Sequence, residues 1–73
     1  PRVFKTNIGD HYTTNMVNLS LEAAKEELMG KILAPNEKGI LSEAGDDATM
    51  KWQVVKVYTL PDRQKAVKVM RIA

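Results

Sequence analysis

The sequence predicts an α+β fold, a mostly antiparallel sheet of four or five strands with one helix packed on one face. Three observations point to it. Residues 50–60 and 66–72 are two β-rich runs separated by a Pro-Asp turn signal. One stretch beginning at Leu21 carries apolar residues at helical spacing. The chain has 73 residues and no cysteine, so the order reads as a single domain spanning 1–73 with no disulfide framework.

The elements follow in chain order. Residues 3–8 read as a first strand, with Phe4, Thr6 and Ile8 on one face. Gly9-Asp10 is a turn signal, and residues 11–19, with Tyr12, Thr13, Thr14 and Val17, read as the second strand of a hairpin. Ser20 is a good helix N-cap, because its hydroxyl can accept an orphan amide of the first turn. Glu22 then sits where the helix dipole favours negative charge. Leu21, Ala24, Leu28 and Ile32 form the apolar stripe, and Glu27 and Lys31 are an i,i+4 ion pair. The helix ends at Gly30 or at the latest before Pro35, because the residue preceding a proline disfavours the helical region. Asn36-Glu37-Lys38-Gly39 is a loop, Ile40-Leu41 a short strand, and Gly45-Asp46-Asp47 a turn.

Met50 to Leu60 is the strongest strand, and Ala66 to Ile72 is its partner across Pro61-Asp62. Strict alternation, with Val57 facing Val67 and Val55 facing Val69, gives one valine face for the helix. The other face then carries Trp52, Val54, Lys56, Tyr58, Ala66, Lys68, Met70 and Ile72. One short helix covers one side of a sheet. The second face is therefore expected either to close into a small barrel or to meet a partner.

Composition narrows the function. The chain is 44% hydrophobic and 27% charged, ordinary for a globular protein. A domain this short buries only about 60% of the surface its unfolded chain exposes, so self-association is an expected source of stability. No apolar run reaches the roughly 20 residues that span a bilayer, and no signal peptide is read. No membrane association is expected, and the expected location is the cytoplasm. The net charge of +2 and a pI near 9.1 permit an anionic partner without requiring one.

The motifs that carry chemistry are few. Glu43, Asp46 and Asp47 offer carboxylate oxygens, but their spacing does not match a calcium loop, and a solvated turn is the plainer reading. No metal and no cofactor are expected. His11 could act as a general base but has no nucleophile or orienting partner beside it in sequence. Ser20 and Ser42 lack an elbow motif. Pro1 resembles the amino-terminal catalytic proline of the tautomerase superfamily, whose subunits are of similar length. In that family the proline opens a strand running directly into a long helix that leads to an arginine. Here a hairpin is expected before Ser20, and residues 21–33 contain no arginine. Pro1 is read as an ordinary processed terminus, and no enzymatic activity or small-molecule substrate is expected.

Two binding readings remain. Trp, Tyr and Met are enriched in interface cores, which marks Trp52, Val54, Tyr58, Met70 and Ile72 as a protein interface rimmed by lysines. A partner protein or a second copy would then cover the second sheet face or an exposed strand edge. The other reading is nucleic-acid binding through the basic C-terminal hairpin, with Lys56, Arg63, Lys65, Lys68 and Arg71 on phosphates and the aromatics as a stacking platform. A compact chain of this length, cysteine-free and beginning with proline, looks like small phage-encoded proteins. That resemblance implies a capsid accessory subunit of a virion or an inhibitor docking on a host enzyme.

Overall fold

The computed structural model describes residues 2–16, 20–61 and 64–73. A 3-10 helix, Arg2–Lys5, leads to strand β1 (His11–Met16), helix α1 (Leu21–Leu28), and strands β2 (Ile32–Pro35), β3 (Leu41–Glu43), β4 (Trp52–Thr59) and β5 (Lys65–Arg71). All pairings are antiparallel, and the five strands lie in the order β1-β5-β4-β2-β3. The fold is α+β, as expected. The sheet stays open with β1 and β3 as its edges, so it does not close into a barrel.

The first expected strand is absent. Residues 2–5 are a 3-10 turn because local bonds outcompete a ladder there. The Thr6 hydroxyl donates to the Val3 carbonyl at 2.8 Å, and the Asp10 carboxylate accepts the Asn7 amide at 2.9 Å. Val3 is buried. β1 consequently has no hairpin partner before it and pairs instead with β5, His11 opposite Met70 and Thr14 opposite Val67. Val17 and Leu19 of the expected strand, Pro1, Asp62 and Arg63 lie outside the described residues.

Helix α1 starts where the cap predicts. The Ser20 hydroxyl accepts the Ala23 amide at 3.2 Å. The helix ends at Leu28 with Met29 as its C-cap, and Gly30 follows with a φ of 79°, in the left-handed region that costs a side-chain-bearing residue about 1–2 kcal/mol. The Gly30 amide donates to Val54 O at 3.0 Å, stitching the helix end to β4. Ile32 therefore leaves the helical stripe and opens β2. Pro35 is tolerated there because β2 pairs with β4 only through Ile32 and Leu33. The Asn36 amide donates to Ile40 O across the β2–β3 hairpin, so the donor that Pro35 lacks would point away from β3. The Asn36 carboxamide accepts the amides of Lys38 and Ile40, closing the loop.

One irregularity decides which side chains are core. The β4–β5 register runs Trp52↔Arg71, Gln53↔Met70 and Val54↔Val69, then shifts by one between Val54 and Lys56 and continues Lys56↔Lys68, Val57↔Val67 and Tyr58↔Ala66. Val55 is the extra residue of a β-bulge. Before the bulge the even residues Trp52 and Val54 face the helix; after it the odd residue Val57 does. Alternation continues unbroken in β5, so Val67 and Val69 share that face. The core is thus Val3, Ala24, Trp52, Val54, Val57, Val67 and Val69, with Leu21, Leu28, Leu33, Leu41 and Met50 packed around it. Each fully buried valine contributes roughly 1.5–3 kcal/mol as an upper bound.

Candidate interaction surfaces

The second sheet face keeps only part of its expected membership. Trp52 and Val54, at 0% and 2% exposure, are core and cannot meet a partner. This corrects the expected interface, and the cause is the bulge at Val55. Tyr12 packs edge-on against the Trp52 ring at 6.2 Å. The indole Nε1 is buried with no hydrogen-bond partner among the described residues. Tyr58 and Met70 are half-buried on the face away from the helix, and Ile72 is exposed just past β5.

The basic residues separate. Lys56 and Lys68 stand directly opposite each other on the second face. Like charges so placed are destabilising in a sheet. The Lys56 ammonium lies over the Tyr58 ring, 5.1 Å from its centroid, covering one stacking surface. Lys65 pairs with Thr59, one residue along β5 from Ala66, and so points to the opposite face from Lys68. Arg71 is a structural residue. Its Nε donates to Ala73 O at 3.1 Å and its Nη1 donates to Thr6 O, tying the N-terminal turn to the last strand. Of the four described residues of the expected phosphate surface, only Lys56 and Lys68 share a face, because strand alternation turns Lys65 away and these bonds hold Arg71.

Two features could not be placed from the sequence, which pointed only to some exposed strand edge. The first is the outer edge of β1. The Arg71 amide donates to Asp10 O at 2.9 Å, which sets the phase of the ladder. The backbone groups of Tyr12, Thr14 and Met16 turn toward β5, and those of His11, Thr13 and Asn15 turn outward. Six residues of edge carry no lysine, proline or bulge, the devices that usually guard such an edge. The opposite edge, β3, is only 3 residues long and carries Glu43. Its shortness is itself a guard.

The second feature is a cavity of about 580 Å³ lined by residues of both edge strands. Tyr12 and Thr14 of β1 and Leu41 and Glu43 of β3 all border it, so the open sheet curls enough for its two edges to flank one hollow. Leu28, Leu33 and Val67 supply apolar walls. Among the described residues no three His, Asp or Glu side chains converge as a metal would require, and no helix is long and apolar enough to cross a membrane. No known family model matches the chain, and neither a curated protein nor a solved structure is significantly similar to it.

Proposed function

We propose that the chain is a non-enzymatic interaction module that assembles by strand addition at the outer edge of β1, its first partner being β1 of a second copy. The observation that carries this is the unguarded six-residue edge with the backbone groups of His11, Thr13 and Asn15 directed outward. An antiparallel β1–β1 pairing would satisfy those groups and extend two five-stranded sheets into one. Such a contact is isologous, the same patch meeting itself about a two-fold axis, and therefore closes as a dimer. It also suits a domain too small to bury a large core. A small accessory subunit docking on a larger assembly, of the phage type, uses the same edge in this reading.

Sedimentation tests it with a variant that the monomer tolerates. The Thr13 amide points outward, so Thr13→Pro removes a donor that the internal ladder does not use. The wild type should sediment as a dimer at micromolar concentration, and Thr13→Pro as a folded monomer by circular dichroism. A monomeric wild type, or a Thr13→Pro variant that still dimerises, overturns the reading.

Nucleic-acid binding is the weaker reading. It retains Lys56 and Lys68 on the second face, but Lys56 covers Tyr58 and Arg71 is committed to Thr6 and Ala73. Affinity for single-stranded DNA or RNA that falls steeply with salt would restore it.

A further inference from the structure

The cavity bordered by α1, β1 and the β2–β3 hairpin combines an apolar interior with a basic mouth. Its size falls in the range of small-molecule sites, about 300–1,000 Å³. Leu28, Leu33, Leu41 and Val67 are buried or half-buried and form its walls. Tyr12 and Thr14 add hydroxyls. Arg2, Lys31 and Lys38 are exposed at its margin, against a single carboxylate, Glu43. That carboxylate lies 3.8 Å from the Lys31 ammonium, an exposed contact of small energy. Three cations against one carboxylate leave the mouth positive. A positive mouth over apolar walls complements an anionic head group on an apolar chain.

We propose that this cavity binds a single amphipathic carboxylate, an aliphatic chain seated among the leucines with its anionic head at Arg2, Lys31 and Lys38. The apolar walls supply most of the affinity through area removed from water, and the cations select the sign of the head group. Of the three outward residues of the β1 edge the site touches Asn15 alone; its apolar walls and its cations belong to other elements.

The test is a titration of the full chain with decanoate below its micellar concentration, followed by amide chemical shifts in two-dimensional nuclear magnetic resonance. Saturable shifts are expected at Thr14, Leu28, Leu33 and Leu41, in the high-micromolar to millimolar range suited to so small a ligand. Decyltrimethylammonium, with the same chain and the opposite charge, should leave these amides unmoved. Lys31→Gln with Lys38→Gln should weaken decanoate about three- to ten-fold. Lys56→Gln with Lys68→Gln, on the other sheet face, should leave it unchanged. Absence of saturable shifts, equal response to the cationic amphiphile, or loss of binding in the Lys56/Lys68 variant instead would each overturn the proposal. Because Asn15 borders both surfaces, the titration is repeated on Thr13→Pro, so that decanoate binding is read apart from dimerisation through β1, which sedimentation reports.

Discussion

The indole of Trp52 is fully buried, yet its Nε1 has no partner among the described residues. An unpaired buried donor carries a desolvation penalty of about 1–3 kcal/mol. Replacement by phenylalanine removes that donor along with some packing volume, so the two effects oppose each other. Trp52→Phe should therefore cost no more than about 2 kcal/mol, whereas Trp52→Ala should cost on the order of 3–5 kcal/mol and leave little stability in a domain of this size. Chemical denaturation of the two variants measures both. The same burial predicts that the fluorescence of the wild-type tryptophan, the only one in the chain, is shielded from acrylamide and iodide even in dilute solution. Strong quenching in a folded monomer would place the side chain elsewhere. Arg71 is a second residue whose role emerges only in three dimensions. Its charge suggests a phosphate ligand, but its guanidinium holds Thr6 and Ala73 together.

At the scale of elements, the bulge at Val55 has the largest consequences. It lets Trp52 and Val54 share the helix face with Val57, although strict alternation would place them opposite. Deleting Val55 restores strict alternation and forces one of two outcomes. Either Trp52 and Val54 turn to solvent, or Val57 does. The deletion should abolish the cooperative unfolding transition, while Val55→Thr, at a half-buried position that keeps the extra residue, should change stability by about 0.5 kcal/mol or less. Differential scanning calorimetry separates the two. Other elements show the same contrast between local and distant causes. Helix α1 and the β4–β5 hairpin were legible because their signals are local: a serine cap, a glycine stop, and β-rich runs around a proline turn. β2 was not, because four half-buried residues ending in proline carry no periodicity. Residues 3–8 alternate like a strand, but six residues of alternation are a weak signal, and the hydrogen bonds of Thr6 and Asp10 decide for a turn.

At the scale of the molecule, the sheet leaves two kinds of surface unsatisfied, the outward backbone of β1 and the half-buried second face with Tyr58 and Met70. Strand addition at the edge couples folding to concentration, because a partner that binds only the folded state stabilises it by mass action. The thermal midpoint of the wild type should rise with protein concentration over the micromolar range, and that of Thr13→Pro should stay constant. A wild-type midpoint independent of concentration would count against self-association as a source of stability. Neither the edge nor the cavity could be located from sequence. The edge exists because β1 finds β5 rather than a neighbour in sequence, and the cavity draws its lining from elements scattered between Arg2 and Val67.

What the sequence determined by itself was therefore the class and the parts: an α+β fold, its capped helix, its C-terminal hairpin, and three of the four valines expected on the helix face, Val57, Val67 and Val69, the bulge having displaced Val55. Those features rest on propensity, capping and alternation within a few residues. Strand order, the shift of register at Val55, the burial of Trp52 and Val54, and the division of the basic residues between two faces were decided only by tertiary structure. Each depends on which distant strands pair and in what register. One inserted residue reverses the direction of every side chain on one side of it, and no local pattern in this chain marks where that residue lies.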